Sequence, residues 1–145
     1  MNFSIGELAR RAGVKVPTIR YYEQIGLLAA PPRTEGHQRR YDRSDASRLE
    51  FIRHARELGF EIDAIRTLLS LQDDPNQPCE RADEIAKARL AEVEIRIASL
   101  VALRSELNKM IEECACGRVG DCRVIETLAD RSHDHGRLIE TLAGK

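Results

Sequence analysis

Aromatic residues are scarce in this chain of 145 residues, where they make up 4% of the sequence and tryptophan is absent. The core must therefore consist mostly of Leu, Ile, Val and Ala side chains. Alternating runs of β-branched residues are also missing, and residues that favour helices dominate. This composition predicts a mainly α-helical fold.

Long apolar segments are missing as well. No stretch of about eighteen apolar residues occurs, and residues 1–11 lack the apolar centre of a secretory signal. We therefore expect a cytoplasmic protein with no membrane partner. Cysteine is limited to four residues, and thiols in a reducing cytosol more often bind metals or sense redox state than form structural disulfides.

Common catalytic patterns are absent too. The sequence contains no Cys-x-x-Cys pair, no His-Glu-x-x-His pair and no glycine-rich phosphate loop. These absences weigh against a thiol oxidoreductase and against a metal-dependent hydrolase. We therefore expect that the protein is not an enzyme.

The charges are distributed unevenly along the chain. Residues 1–56 contain eleven Lys and Arg against six Asp and Glu, whereas the remainder contains twelve against eighteen. A basic first part joined to an acidic second part is typical of a nucleic-acid-binding module connected to a regulatory or dimerising module.

Two short helices are predicted near the start of the chain. Ser4 and Glu7 have the spacing of a capping box, so a first helix should run to Ala12. A second helix should span Pro17–Gln24, because proline fits the first turn of a helix. Glycines lie just beyond both helices, and this arrangement predicts a helix-turn-helix.

The second helix carries side chains suited to phosphate and base-edge contacts. The candidate DNA-binding residues on it are Thr18, Arg20, Tyr21 and Tyr22. One of the two tyrosines is expected to pack inward instead.

The segment Ala29–Tyr41 contains two prolines and a glycine that exclude a helix, so it predicts a small β-hairpin or wing. Arginines on such a wing would hold the DNA backbone and make the affinity strongly dependent on salt. The candidate DNA-binding residues here are Arg33, Gln38, Arg39, Arg40 and Tyr41.

Two more helices should follow the wing. Ser44 is predicted to cap a third helix that runs to about Leu58, and a fourth should span Ile62–Leu71. Residues 73–78, which include two prolines, form the clearest boundary in the chain.

A long helix is predicted from Glu80 to Glu112, in a stretch without glycine or proline. Its apolar residues alternate three and four apart, with Arg104 as the one gap, which is the pattern of a coiled-coil seam. The seam residues are Leu90, Val93, Ile97, Leu100, Leu107 and Ile111. Because little sequence remains to cover this stripe, we expect a helix that pairs with a second copy of itself.

All four cysteines flank this long helix. Cys79 precedes it, and Cys114, Cys116 and Cys122 crowd into nine residues behind it. This placement favours metal ligands or redox-active thiols over buried apolar residues.

Five blocks of sequence, in order and at family-like spacing, resemble the MerR family of bacterial transcription regulators. The blocks are Ile5-Gly6-Glu7-Leu8-Ala9, Thr18-Ile19-Arg20-Tyr21-Tyr22-Glu23, Gly26-Leu27-Leu28, Arg39-x-Tyr41 and Leu49-x-Phe51-Ile52. One departure is Gln38, where the family usually has an aromatic or similar residue.

The resemblance implies a mainly α fold with three parts: a winged helix-turn-helix DNA-binding domain, a long antiparallel coiled-coil dimerisation helix and a C-terminal metal-binding loop. We expect these parts at residues 1–74, 75–112 and 113–145. It also implies a homodimer with its inducer site at the dimer interface. Such a dimer acts on a promoter with an overlong spacer, which it distorts so that RNA polymerase can engage it.

The length of the long helix agrees with a site at that interface. About 33 residues at about 1.5 Å each separate the helix ends by roughly 50 Å, so Cys79 and Cys114 of one chain could not share an ion. In an antiparallel dimer, Cys79 of one subunit would face Cys114 and Cys122 of the other.

The number of thiolates indicates which metals would bind. Two thiolates favour monovalent copper, silver or gold, whereas three favour divalent soft or borderline ions such as zinc, cadmium, lead or mercury. A cysteine at position 79 resembles the divalent-metal branch of the family, so zinc, cadmium or lead is the expected ion. Candidates for a fourth ligand are Cys116, His133 and His135, and the two histidines could instead bind a second ion or lie exposed in the tail.

Two alternatives remain at this stage. Cys114, Cys116 and Cys122 resemble part of the pattern of iron–sulfur regulators in the same family, although that pattern needs a further cysteine at position 111, where this chain has Ile. A metal-storage or chaperone protein is a second alternative, but it would leave the DNA-reading helix unexplained.

Overall fold

A computed structural model describes residues 2–31, 40–114 and 117–130 of the chain. The chain divides into two compact units, Met1–Ile85 and Ala86–Lys145. The domain boundaries expected from the sequence, after residues 74 and 112, remain a prediction.

The described residues form six α-helices and one short 3-10 turn. The elements are α1 (Ile5–Ala12), α2 (Val16–Gln24), α3 (Arg43–Glu57), α4 (Ile62–Gln72), α5 (Glu80–Glu112), the 3-10 turn (Val119–Asp121) and α6 (Arg123–Ala129). The predicted mainly α fold is confirmed. In the part of the chain that the structure describes, the only β pairing is an isolated antiparallel bridge between Phe3 and Tyr41.

Helix α1 begins and ends as its sequence predicts. The Ser4 hydroxyl accepts a hydrogen bond from the Glu7 amide at 3.2 Å, which satisfies one of the free N–H groups of the first turn. Gly13 terminates the helix in the left-handed conformation, at φ 70°, and its N–H bonds to the Ala9 carbonyl. A side chain at this position would be strained, so glycine is required where the chain turns toward α2.

Helix α3 starts two residues earlier and with a different cap from the predicted one. The cap is Asp42, not Ser44: an Asp42 carboxylate oxygen accepts from the Asp45 amide at 3.0 Å. Asp45 returns the bond by accepting from the Asp42 amide at 2.9 Å. The prediction of Ser44 was therefore wrong, because the carboxylate pair completes a reciprocal capping box and the Ser44 hydroxyl donates to the Asp42 carboxylate instead.

The core of the first unit lies where α1 packs against α2 and α3, and where α3 packs against α4. Its fully buried aliphatic residues are Leu8, Ile19, Leu27, Leu28, Leu49, Ile52, Ile65 and Leu69. As the shortage of aromatic residues predicts, the core is mostly aliphatic, and its buried rings are Phe3, Tyr22 and Tyr41.

Helix α5 has the predicted bounds, Glu80–Glu112, and its predicted seam is exposed to solvent within the chain. Leu90, Ile97, Leu100, Leu107 and Ile111 are each about half exposed or more. The described part of the second unit buries only two residues, Met110 and Thr127. The apolar stripe of α5 is therefore left uncovered by the described residues of this unit.

Helix α6 is an addition to the expected architecture. The sequence predicts a loop and tail after residue 112, but Arg123–Ala129 is helical and follows the 3-10 turn directly. Among the described helices, none is long and apolar enough to cross a membrane.

Candidate nucleic-acid interface and thiol site

Helix α2 presents polar and aromatic groups at the surface of the first unit. Arg20 is exposed, the Tyr21 side chain is 50% exposed, and Thr18 is half-buried one turn before Tyr21. A guanidinium, a phenol and a hydroxyl on one short helix can donate to phosphate oxygens and base edges. These three residues therefore remain candidates for contacts with DNA.

Tyr22 lies on the opposite, inward side of α2. It is 7% exposed and belongs to the core, and its ring centroid lies 5.9 Å from that of Tyr21 in a tilted arrangement. Burial raises the pKa of its phenol above the ordinary value, although the nearby Arg56 guanidinium opposes the shift. Tyr22 is therefore the tyrosine that packs inward, and its role as a direct DNA contact stays a prediction.

Arg56 is a neighbour of α2 that sequence reasoning missed. It comes from the last turn of α3 and lines a surface depression together with Thr18, Tyr21 and Tyr22. Its guanidinium donates to the Phe60 carbonyl at 2.9 Å, which fixes the charge beside the two phenols. No local motif around residue 56 distinguishes it, because the packing of α3 alone brings it there.

Tyr41 also packs inward. Its side chain is 0% exposed, so it cannot contact DNA, and its hydroxyl donates to a Glu23 carboxylate oxygen at 2.9 Å. The main chain of Tyr41 pairs with that of Phe3 through two hydrogen bonds of 2.6 and 2.9 Å. The residue anchors the returning end of the predicted wing against α2, while the adjacent Arg40 is exposed.

The remaining wing candidates lie outside the described residues. They are Arg33, Gln38 and Arg39. Their proposed role in DNA binding stays a prediction.

Two thiols meet in the second unit. The Cys114 and Cys122 sulfur atoms lie 3.8 Å apart, and both residues are half-buried. Cys114 follows the end of α5, and Cys122 stands immediately before α6, where its carbonyl accepts from the Glu126 amide at 3.0 Å.

A salt bridge beside the thiols holds the two ends of this segment together. The Arg123 guanidinium donates to the Glu113 carboxylate at 2.8 Å. This hydrogen bond and the carboxylate charge raise the pKa of Arg123 above its ordinary value. Because these residues neighbour Cys114 and Cys122 directly, the pair contributes to the close approach of the two sulfurs.

Cys79 is exposed and precedes α5 in the first unit. Its carbonyl accepts from the Asp83 amide at 3.0 Å, so it lies at the N-terminal boundary of the helix. It borders an apolar depression that includes Phe51, Leu68 and Pro78.

The other metal-ligand candidates, Cys116, His133 and His135, lie outside the described residues. Within the described ranges, no group of three His, Cys, Asp or Glu side chains is placed to hold a metal ion. The pair Cys114 and Cys122 is therefore an incomplete donor set there.

Comparison with known proteins identifies the family. Residues 3–72 match the model described as "MerR HTH family regulatory protein", and residues 46–110 match the model described as "MerR, DNA binding". The HTH-type transcriptional regulator ZntR of Escherichia coli strain K12 is 44% identical over 130 residues, which cover 87% of this chain and 92% of that protein. This chain belongs to the MerR family.

Solved structures of MerR-family proteins share its fold. The transcription regulator PbrR691 from Ralstonia metallidurans CH34, in complex with lead(II), is 37% identical with a TM-score of 0.75, covering 88% of this chain and 99% of that one. The dual function regulator MerR from Bacillus megaterium MB1, in complex with mercury(II), is 31% identical with a TM-score of 0.67, covering 88% and 100%. The resemblance noted in the sequence is confirmed, and the chain is a transcriptional regulator with a MerR-type DNA-binding fold.

Proposed function

We propose that this MerR-family regulator binds promoter DNA as a homodimer and responds to a divalent soft or borderline metal ion, with zinc, cadmium or lead as the candidate inducer. The proposed ligands are Cys114 and Cys122 of one subunit and Cys79 of the other. A bound ion would join the two subunits at each end of the dimer. The liganded dimer would distort the promoter so that RNA polymerase transcribes metal-efflux or resistance genes.

The separation of the two sulfurs carries the proposal. Two sulfurs at about 2.3 Å from one tetrahedral ion lie about 3.8 Å apart, whereas a linear two-coordinate ion at that bond length would separate them by about 4.6 Å. A disulfide would bring them to about 2.05 Å. The observed 3.8 Å between Cys114 and Cys122, which is also the contact distance of two metal-free thiols, is compatible with the bent arrangement.

Cys79 of a second subunit supplies a third thiolate in this proposal. Helix α5 is continuous over 33 residues, so at about 1.5 Å per residue its ends are roughly 50 Å apart and Cys79 of the same chain cannot join the pair. A third thiolate shifts the preference from monovalent to divalent soft ions. The lead and mercury complexes of two family members support that class of inducer.

The DNA-binding half of the proposal depends on the exposed basic and aromatic groups of the first unit. Arg20, Tyr21 and Arg40 are exposed, and Thr18 lies beside Tyr21. The chain therefore has one surface for DNA and a separate pair of thiols for the ion.

A metal titration of the reduced protein, bound to an operator fragment with a fluorophore at each end, tests the proposal. Addition of cadmium should change the end-to-end distance of the DNA and produce thiolate-to-metal absorption together. Cys79→Ser should weaken the cadmium response at least about a hundredfold, because loss of an outer-shell partner alone already costs ten- to a hundredfold. The same variant should bind metal-free operator DNA with unchanged affinity.

Arg20→Ala serves as the matched control, since it changes the DNA surface and leaves the thiols intact. It should lose operator affinity and keep the thiolate-to-metal absorption. Cys116→Ser, titrated in parallel, decides whether a fourth thiolate takes part. A Cys79→Ser protein that still responds fully to cadmium would refute the shared site.

A further inference from the structure

The apolar seam of α5 contains a single charged residue. Arg104 stands between Leu100 and Leu107 in the alternating three-and-four pattern, and it is exposed within the chain. Among the described residues, neither Arg104 nor Glu94 forms a salt bridge, whereas the nearby Arg89 binds Glu92 at 3.0 Å. A charge in a coiled-coil core lowers stability, and its best-attested benefit is to specify register and partner.

We propose that Arg104 sets the register of an antiparallel homodimer by forming a salt bridge with Glu94 of the partner subunit. This inference rests on the homodimer of the proposed function. By the two-fold symmetry, each dimer contains two such pairs.

The heptad pattern gives the argument its first step. The seam consists of two sets of positions, seven residues apart within each set, and in an antiparallel pair the members of one set lie against those of the other. The first set is Leu90, Ile97, Arg104 and Ile111, and the second is Val93, Leu100 and Leu107.

Two registers align every residue of the second set with one of the first, and they differ in what Arg104 meets. With the two-fold axis between Ile97 and Leu100, Ile97 lies against Leu100 of the partner subunit, and every other seam residue of the second set also meets one of the first. Arg104 then lies against Val93 of the partner subunit. Glu94 of the partner subunit is the next residue after Val93 and lies on the same side of the seam as Arg104. Its carboxylate can therefore bind the Arg104 guanidinium.

In the neighbouring registers Arg104 has no acidic residue beside it. A shift of one heptad in one direction sets Arg104 beside Ala86 of the partner subunit, which is flanked by the like charge of Lys87. A shift in the other direction sets it beside Leu100, which is flanked by the apolar Val101. A parallel pair would bring the two copies of Arg104 against each other, so the charges favour a single arrangement.

The same register accounts for the thiols without having used them. It brings the start of α5, which Cys79 precedes, near the end of α5 of the partner subunit, which Cys114 follows. The salt bridge would therefore align three thiols that no single chain brings together.

Charge reversal in metal-free protein without DNA tests the pairing. Arg104→Glu and Glu94→Arg each place like charges at both bridges of their own homodimer. Each should raise the dimer dissociation constant at least about tenfold, measured by sedimentation equilibrium. An equal mixture of the two variants restores both bridges, so native mass spectrometry should show mainly heterodimer with the affinity of the wild type. The double variant should self-associate like the wild type, which excludes a simple failure to fold.

Glu92→Arg is the matched control, since it reverses an equal charge two residues away on another face of α5. It should not restore association when mixed with Arg104→Glu. The register is overturned if the single variants dimerise like the wild type, if their mixture stays weak, or if Glu92→Arg rescues equally well. A wild-type chain that stays monomeric would instead overturn the homodimer itself, and the thiol titration above is independent of all these outcomes.

Discussion

Arg40 and Tyr41 are neighbours in the chain, but the fold gives them opposite surroundings. The Arg40 side chain is exposed beside the predicted wing, whereas Tyr41 is fully buried and donates to Glu23 at 2.9 Å. A basic–aromatic pair in a DNA-binding segment looks like two contact residues in sequence. In the structure one is a contact candidate and the other is an anchor.

Substitutions at these two positions should therefore separate DNA affinity from stability. Tyr41→Phe removes one partly buried hydrogen bond and should lower the free energy of unfolding by about 1 kcal/mol, with little change in operator affinity. Arg40→Ala should leave stability unchanged, weaken operator binding and reduce the salt dependence of that binding by about one phosphate contact. Urea unfolding and operator titrations at several salt concentrations measure both, and equal effects of the two variants on DNA affinity would contradict the assignment.

The cap of α3 contains two carboxyls whose pKa values move in opposite directions. Hydrogen bonds, first that from the Ser44 hydroxyl and then that from the Asp45 amide, lower the pKa of Asp42 below its ordinary 3.8. Burial, which outweighs the bond from the Asp42 amide, raises the pKa of Asp45. Ionised Asp42 therefore favours the folded state, and ionised Asp45 opposes it.

This difference predicts opposite pH dependences for two isosteric variants. The contribution of Asp42 is fully present above its ordinary pKa of 3.8 and is lost as the pH falls through the lower folded-state pKa. Asp42→Asn should therefore be destabilising near neutral pH and approach the wild type as the pH falls. Asp45→Asn should gain relative to the wild type as the pH rises through the raised pKa of Asp45. Urea unfolding on both sides of this range measures the two slopes, and slopes of the same sign would refute the cap as described.

At the scale of the elements, α5 shows why exposure within one chain does not define a surface. Leu100 in the seam is 53% exposed, and Ile95 outside the seam is 60% exposed. The two side chains look equivalent in the isolated subunit. Only the heptad position distinguishes them, because it aligns Leu100 with the other seam residues.

Dimerisation should consequently respond to one of these residues and not to the other. Leu100→Ala removes a core side chain from both copies of the helix, so we expect the dimer dissociation constant to rise at least about tenfold. Ile95→Ala should leave it unchanged, although it removes a comparable apolar side chain. Sedimentation equilibrium measures both, and equal weakening by the two variants would show that the seam is wrongly placed.

The helices of the first unit and α5 could be predicted because their sequences carry strong local patterns. Glycine and proline mark their ends, and apolar residues recur at helical spacing. Helix α6, at seven residues, is too short for such a pattern, and the glycines and cysteines before it indicate a loop. The inward positions of Tyr22 and Tyr41 and the approach of Arg56 to α2 depend on contacts between distant segments, which local patterns do not contain.

At the scale of the whole molecule, the candidate metal site is incomplete within a single chain. Cys114 and Cys122 are close together in the second unit, while Cys79 belongs to the first. The sequence could predict the ligand types and their flanking positions. It could not give the 3.8 Å separation, which results from the turn between Val119 and Cys122 and from the bond between Arg123 and Glu113.

Mixing two inactive variants should reveal whether the site is shared between subunits. Cys79→Ser lacks one donor, and the double variant Cys114→Ser/Cys122→Ser lacks the other two, so each homodimer should bind cadmium weakly. A heterodimer of the two contains one complete site and one that lacks all three thiols. We expect one tightly bound cadmium ion per heterodimer, measured by native mass spectrometry, whereas a site within one chain would show no recovery.

The bridge between Phe3 and Tyr41 has a practical consequence for handling the protein. Two backbone hydrogen bonds join Phe3 to Tyr41, the last residue of the predicted DNA-binding wing. An affinity tag or fusion partner joined directly ahead of Phe3 would therefore strain the two hydrogen bonds between Phe3 and Tyr41. A flexible linker or removal of the tag before DNA-binding assays should prevent an artefactual loss of affinity.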